Sequence, residues 1–184
     1  MALTATVYTF TLEIADVDRG VYDTVEVKAA CHPSETPEYL VTRVLAYALE
    51  YTEGLAFSKG GLSNPDEPAL SVRDLTGALT AWIEIGTPDA VRLHKAAKAA
   101  PRVAVYSHKD PRTVRRLLAG ERIHRADALE LYAVPSALID GLVEQLDRRN
   151  TWSVSSTERH LYVTTRGVTV EGAIERFTVE EPTS

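Results

Sequence analysis

The sequence predicts an α+β fold in which antiparallel strands at both ends of the chain frame an α/β middle. Polar and apolar residues alternate near both termini, which is typical of strands. In the middle, a strand, a helix and a second strand follow one another, which favours a parallel pair joined by a crossover. At 184 residues the chain is long enough for one sizeable core. No repeat or linker divides it, so we expect a single domain over residues 1–184.

The N-terminal residues predict a long hairpin. Residues 3–14 alternate, with Phe10, Leu12 and Ile14 on one face, and residues 21–29 alternate again. The residues between the two runs are turn formers and end in a glycine. We therefore expect two antiparallel strands joined by a loop.

A helix follows the hairpin, because the apolar period changes to that of one helical face. The residues of this face are Leu40, Val41, Val44, Tyr47, Ala48 and Tyr51. Ser34 or Thr36 can cap the start of the helix. Thr42 falls on the opposite side, Arg43 lies at the edge of that side, and Glu35 joins them if the helix reaches back so far. We therefore expect Glu35 and Arg43 to face one polar cleft.

The middle of the chain supplies the α/β part of the fold. Three strands of increasing strength are expected here, at 55–62, 70–74 and 79–85. Thr87 and Pro88 open a helix that runs to about residue 100. The run at 102–107 is rich in β-branched residues and predicts a buried strand. A parallel pair with a helical crossover follows from this order.

The C-terminal part predicts two further helices and several strands. A helix starts at Asp110 and Pro111 and stops at Gly120, and another runs over 135–147. Strands are expected at 128–134, 152–155, 161–165 and 168–177.

Composition excludes several classes of protein. No apolar run approaches the roughly 18 to 20 residues of a membrane span, and the N-terminus has no signal-type segment, so we expect a soluble cytoplasmic protein. Cys31 is the only cysteine, so neither an internal disulfide nor a thiolate metal cage is possible. The net charge of −6 repels a phosphate backbone, so binding of nucleic acid requires local basic patches.

Two carboxylates and a lysine in residues 64–98 suggest a metal site. Asp66 follows a proline in a loop, Glu84 lies inside an apolar strand, and Lys95 lies in the next helix. Mg²⁺ takes one or two carboxylates together with water and substrate phosphate, and it can polarise a phosphoryl group and activate a water. We predict Asp66 and Glu84 as ligands of Mg²⁺ or Mn²⁺, Glu35 as a third acid and Lys95 as the auxiliary cation.

Each of these residues also has a structural explanation. Asp66 is a common turn residue, Glu35 suits a helix N-terminus, and Lys95 suits a solvated helix face. Glu84 is harder to explain in this way, because a carboxylate in a strand of apolar residues is either exposed or partnered.

The residues 32–36 (HPSET), the loop 64–68 (NPDEP) and 82–88 (WIEIGTP) closely resemble those of the YaeQ family of bacterial proteins, and the match covers nearly the whole chain. Proteins of that family are similar in fold to the PD-(D/E)xK nuclease superfamily. The resemblance implies a restriction endonuclease-like core with a mixed sheet, flanking helices and added antiparallel strands at both termini. It implies less about activity, since the biochemical role of the family is poorly defined.

Carried over to this chain, the superfamily motif places its proline and aspartate at Pro65 and Asp66 and its acidic residue at Glu84. The lysine expected two positions later is Gly86 here. In related folds this lysine is found on the next helix, which makes Lys95 the candidate. With Leu93 in the inward stripe of that helix, however, Lys95 points roughly 160 to 170° away from the stripe.

The remaining candidates are less specific. His32 either binds a metal or holds its loop, and the latter is favoured. Five arginines and a histidine form the only dense basic stretch, which either contacts phosphates or is simply solvated: Arg112, Arg115, Arg116, Arg122, His124 and Arg125. Neither a nucleophile elbow nor a phosphate-binding loop occurs.

Two functions are therefore compatible with the sequence. The first is a metal-dependent nuclease that hydrolyses phosphodiesters of a nucleic acid in an acidic cleft. The second is a non-catalytic binding or interaction protein that keeps the nuclease-like fold, as the missing lysine at Gly86 and the acidic net charge suggest.

Overall fold

The structure is a computed structural model that describes residues 4–59 and 66–179. The chain forms two compact units, the first from residues 1–51 and 134–174, and the second from 52–133 and 175–184. Within the described ranges, four helices and two mixed sheets make up a mixed α+β fold. The expectation that residues 1–184 form a single domain stays a prediction.

The first unit contains a five-stranded sheet whose strands lie in the order β10-β9-β8-β1-β2. Strands β1 (Thr6–Asp16) and β2 (Val21–Cys31) pair antiparallel along their whole length, which confirms the predicted hairpin. Strand β1 pairs in parallel with a strand from the other end of the chain, so the sheet is mixed. The three C-terminal strands are β8 (Arg149–Thr157), β9 (His160–Thr165) and β10 (Val168–Ala173).

Two helices belong to the first unit, α1 (Pro37–Glu50) and α4 (Ser136–Glu144), and they pack against each other. Thr36 is the residue that caps α1, because its hydroxyl accepts a hydrogen bond from the backbone N–H of Tyr39 at 3.1 Å. Thr42 and Arg43, predicted for a polar side of α1, are buried. The helix is therefore covered on both sides. Glu35 is buried as well, so the prediction that Glu35 and Arg43 face a polar cleft is wrong.

The second unit contains a six-stranded sheet in the order β11-β7-β6-β5-β4-β3. Its strands are β3 (Leu55–Phe57), β4 (Leu70–Arg73), β5 (Leu79–Ile85), β6 (Arg102–Ser107), β7 (Glu130–Ala133) and β11 (Glu175–Phe177). The three central strands β5, β6 and β7 run in parallel, which confirms the predicted parallel pair, and the outer strands pair antiparallel.

The helices of the second unit are α2 (Ala90–Ala99) and α3 (Pro111–Leu118), and they connect the parallel strands. Each is capped by an aspartate: the carboxylate of Asp89 accepts from the backbone N–H of Arg92, and that of Asp110 accepts from Arg112. Helix α2 thus begins after Asp89, two residues later than the start predicted at Thr87 and Pro88.

The C-terminal run 168–177 differs most from its prediction as one strand. It divides at Ile174 into β10, in the sheet of the first unit, and β11, in the sheet of the second. Alternation is clear only over residues 168–171, and the residues that follow do not indicate that the run passes from one sheet to another. Within the part of the chain that the structure describes, no helix is long and apolar enough to cross a membrane.

Candidate functional site

The site is organised around Glu84, a carboxylate inside the buried strand β5. Glu84 is only 5% exposed, and both of its oxygens are held by neighbouring side chains. The indole N–H of Trp82 donates to Oε1 at 2.6 Å, and Nε of Arg92 lies 2.8 Å from Oε2. Burial raises the pKa of Glu84, while the hydrogen bond and charge of Arg92 and the hydrogen bond of Trp82 act in the opposite direction. Glu84 is thus buried and partnered, which is one of the two alternatives expected for a carboxylate in a strand of apolar residues.

Arg92, in the first turn of α2, is the residue that sequence reasoning missed. Besides its contact with Glu84, its Nη2 donates to the backbone carbonyl of Glu67 at 2.7 Å. Its guanidinium also lies 5.9 Å from the centre of the Trp82 ring. Arg92 therefore ties the strand acid to the loop that carries Asp66. The signal available in the sequence was its position three residues before Lys95 on one helix face.

Asp66 and Lys95 form an ion pair at the outer side of the same helix. The side chains of Asp66 and Lys95 are 70% and 50% exposed, so this pair is solvated, unlike the pair of Glu84 and Arg92. Lys95 does point away from the buried Leu93, as expected from helical geometry. The loop of Asp66 lies on that lysine side, and Pro65 lies outside the described residues.

A second carboxylate accompanies Asp66 in the loop. The hydroxyl of Ser58 donates to Oε2 of Glu67 at 2.7 Å, which links the loop to the end of β3. Three acids and two cations therefore collect along α2 in the second unit: Asp66, Glu67, Glu84, Arg92 and Lys95. We call this set the α2 cluster.

Gly86 has a conformational reason for not being a lysine. Its φ is +89°, in the left-handed region that residues with a side chain rarely adopt. The backbone N–H of Gly86 also donates to the carbonyl of Tyr106 at 2.9 Å, which holds this conformation. A strand lysine at this position would be strained, so a cation for the cluster has to come from another element.

Glu35 lies in the first unit, next to the start of α1. Its side chain is fully buried, and its Oε2 lies 3.3 Å from Nη2 of Arg43. The same Nη2 donates to the carbonyl of Ala30 at 2.7 Å, which anchors the arginine to β2. The expected proximity of Glu35 and Arg43 is confirmed, whereas the role of Glu35 as a third acid beside Asp66 and Glu84 stays a prediction. In the same loop, Nδ1 of His32 lies 2.7 Å from the hydroxyl of Ser34.

The α2 cluster can be tested for its fit to a hard cation. Among residues 4–59 and 66–179, no group of three or more His, Cys, Asp or Glu side chains is arranged to hold a metal ion. Asp66 and Glu84 offer two carboxylates, the number with which Mg²⁺ commonly binds while keeping several waters. Each of these carboxylates contacts a cationic side chain, which a bound metal would have to displace or share. In number and chemical type, though not as a group of three or more acids, Asp66 and Glu84 match the donors that a water-rich Mg²⁺ or Mn²⁺ site would use.

The described fold and the α2 cluster define a mixed α+β protein with a buried, arginine-paired acid at one sheet. The chain belongs to the YaeQ family, because the family model described as YaeQ protein matches residues 1–174. Two solved structures are similar over nearly their whole length. YaeQ protein from Pseudomonas syringae has a TM-score of 0.84 at 34% identity and covers 95% of this chain and 96% of that one. YaeQ protein from Xanthomonas axonopodis pv. citri has a TM-score of 0.83 at 31% identity, covering 95% and 99%.

Curated relatives show the same family without an activity. The protein named "Uncharacterized protein YaeQ" of Escherichia coli (strain K12) is 39% identical over 108 residues, and the protein of that name in Salmonella typhi has the same identity over the same length. The match covers 59% of this chain and 59% of each relative, so the chain spans less than two thirds of the length of these curated relatives.

Proposed function

We propose that this protein is a metal-dependent phosphodiester hydrolase with a nuclease-like core of the PD-(D/E)xK, restriction endonuclease-like type. The observation that carries the proposal is the α2 cluster, in which one helix face pairs Lys95 with Asp66 and Arg92 with Glu84. A mixed sheet with parallel central strands, β5 to β7, supports the core assignment.

Asp66 and Glu84 are the proposed ligands of Mg²⁺ or Mn²⁺. A bound ion of this kind supplies Lewis acidity to a phosphoryl oxygen and lowers the pKa of a water. The chain contributes the rest. The hydrogen bond from Trp82 to Oε1 orients the carboxylate of Glu84, so this carboxylate is positioned before any ligand binds. Lys95, half exposed beside Asp66, is the proposed contact of a substrate phosphate, where it would offset the negative charge that develops on the phosphate.

Arg92 sets the charge of the cluster. Its guanidinium faces Glu84 and is 23% exposed, so it neutralises one buried carboxylate. With Lys95, it reduces the charge of the three carboxylates Asp66, Glu67 and Glu84 to one net negative charge, in a protein whose net charge is −6. A phosphodiester therefore meets less repulsion at the α2 cluster than the three carboxylates alone would cause. DNA and RNA are both proposed substrates, because the proposed contacts of the cluster are to phosphate, which the two share.

A second function is favoured by one feature of the same geometry. Both oxygens of Glu84 already accept from protein donors, as in a structural ion pair. A non-catalytic binding or interaction protein that keeps the nuclease-like fold would use the α2 cluster to stabilise the loop of Asp66 and the start of α2. Lys95 and Asp66 would then serve as surface contacts for a partner.

The experiment uses Trp82 as a reporter, because its indole N–H is bonded to a proposed metal ligand. The other tryptophan, Trp152, is buried in the first unit, and Trp152→Phe leaves Trp82 as the single emitter. Mn²⁺ is titrated into this background and into the same background with Asp66→Asn and Glu84→Gln. Asp140→Asn, an exposed carboxylate of α4, is the matched control.

Saturable quenching of Trp82 that disappears in the Asp66 and Glu84 variant, but persists in the Asp140 variant, is the expected result. Cleavage of DNA or RNA that needs the same two carboxylates supports the hydrolase, with a loss of about a hundredfold or more expected when the metal site is removed. Binding of Mn²⁺ without cleavage of either substrate supports the binding protein. If Mn²⁺ binds equally to the Trp152→Phe protein and to the same protein with Asp66→Asn and Glu84→Gln, the proposed metal site is refuted.

A further inference from the structure

A second feature of the second unit lies apart from the α2 cluster. A pocket of about 1410 Å³ opens between the end of α3, the segment 119–129 and residues 178–179, and no member of the α2 cluster lines it. Four arginines surround it: Arg112, Arg115, Arg116 and Arg125. These four belong to the basic stretch noted in the sequence, and in the folded chain they line one concave surface.

The base of the pocket is apolar. Leu118, Ile123, Leu129 and Leu131 line it, and all four are buried members of the core of this unit. The mouth also carries Glu121 and Asp127. Four arginines and two acids thus line the pocket together with these apolar residues. Arg112 is also paired with Asp110, so the other three arginines give the lining its local excess of positive charge in an acidic protein. Such a lining suits a ligand with an anionic group and an apolar body.

Two of the arginines are held in place by backbone carbonyls. Nη2 of Arg125 donates to the carbonyls of Ala97 and Ala100, at 2.6 and 3.0 Å, at the end of α2. Nε of Arg115 donates to the carbonyl of Thr178 at 2.9 Å, and its guanidinium lies 5.5 Å from the centre of the Phe177 ring. Carbonyl oxygens orient a guanidinium without cancelling its charge, so these groups are pre-organised for an anion.

The backbone of Arg125 supports this reading. Its φ is +49°, in the left-handed region that a side chain disfavours. Such conformations are disfavoured and persist where surrounding contacts support them. The two carbonyl contacts hold the side chain of Arg125 against the end of α2, and Arg125 also lines the pocket.

From these contacts we infer that the pocket binds a phosphate monoester attached to a ring-bearing body, as in a mononucleotide. Several guanidinium groups match the double charge and three oxygens of a phosphate monoester better than a single carboxylate. The ring lies on the apolar base, and Glu121 and Asp127 accept hydrogen bonds from hydroxyl or amino groups of the body. A free nucleotide and the phosphorylated 5′ end of a single strand share this chemistry.

Isothermal titration of the full-length protein with adenosine 5′-monophosphate, in EDTA, tests the inference. Saturable binding is expected, and adenosine or inorganic phosphate alone should bind at least about tenfold more weakly, because each lacks one half of the recognised chemistry. A single strand of thymidines with and without a 5′ phosphate distinguishes the source: tighter binding of the phosphorylated strand than of the mononucleotide assigns a strand end, and the reverse assigns a free nucleotide.

Arg116→Ala is the informative variant, because Arg116 is exposed on α3 and its loss leaves the carbonyl contacts of Arg115 and Arg125 intact. Affinity should fall about tenfold, and Arg116→Lys should restore part of it. The matched control is Arg122→Ala. Arg122 is an exposed arginine of the segment 119–129 and does not line the pocket. This variant should bind like the wild type.

The Asp66→Asn, Glu84→Gln variant separates this inference from the proposed hydrolase. It should bind adenosine 5′-monophosphate with unchanged affinity, because the pocket and the α2 cluster share no residue. The inference is overturned if the wild type shows no saturable binding, if adenosine binds as tightly as its monophosphate, or if Arg116→Ala and Arg122→Ala weaken binding equally.

Discussion

The ion pair of Glu84 and Arg92 makes a quantitative prediction, because one partner is buried and the other is mostly buried. Arg92→Met leaves the carboxylate of Glu84 in the core without its cation, and breaking a buried pair in this way costs about 3 kcal/mol of unfolding free energy. Glu84→Gln keeps an acceptor for the Trp82 indole. It also leaves an arginine that is 23% exposed and can gain water, so the expected cost is about 1.5 kcal/mol.

The double variant Glu84→Gln, Arg92→Met removes both charges and leaves neither stranded. Its expected cost is about 2 kcal/mol, well below the sum of the single costs, which corresponds to a coupling of roughly 2.5 kcal/mol. Urea unfolding followed by circular dichroism measures all four proteins. Additive single costs would refute the reasoning, since they would mean that the two side chains do not stabilise each other.

An exposed arginine supplies the control for this cycle. Arg112 pairs with Asp110, but its side chain is 77% exposed. Arg112→Met should change the unfolding free energy by less than about 0.5 kcal/mol. A cost like that of Arg92→Met would show that loss of any arginine, rather than burial of the acid, explains the effect.

Three further predictions concern pH, backbone conformation and capping. Burial raises the pKa of Glu84 above its ordinary 4.5. The stability of the wild type relative to Glu84→Gln should therefore be greatest below pH 4.5 and fall as the pH rises through the raised pKa. Denaturant unfolding curves of both proteins at several pH values check the sign of this change. Gly54→Ala should cost more than about 2 kcal/mol, since its φ is +87° and a Cβ there meets the carbonyl of Arg73. Gly20→Ala, with φ +68° and open space, should cost about 1 kcal/mol, and equal melting temperatures for the two would contradict the steric argument. Thr36→Ala should lower stability by about 1 kcal/mol through loss of the α1 cap while Thr36→Ser retains it, as thermal unfolding will show.

Local elements were predictable where one physical signal dominated. Strands β5 and β6 match their predicted bounds, 79–85 and 102–107, because β-branched and aromatic runs between breakers leave few alternatives. The start of α2 was misplaced because Thr87 and Pro88 carry the same cap signals as Asp89, and only the backbone shows which side chain accepts the hydrogen bond.

The sequence singled out three residues of the α2 cluster but not the contacts that they make. Asp66, Glu84 and Lys95 were named from residue type and spacing, and the structure pairs Asp66 with Lys95. The partner of Glu84 was not anticipated, because Arg92 reads as an ordinary helix arginine until the strand and helix are placed side by side. Glu35, with Arg43 in the first unit, likewise needed the fold to show that its side chain is buried.

The sequence by itself determined most of the strands and helices, the hairpin, the parallel order of the middle strands and the chemical types gathered in residues 64–98. Periodicity, capping and turn chemistry act over a few residues, so the sequence alone shows the elements that they produce. Only the tertiary structure decided that residues 168–177 divide between two sheets, that Arg92 neutralises Glu84, and that four arginines enclose one pocket. Each of these depends on which distant segments meet, and contacts between segments far apart in sequence leave no local periodic signal.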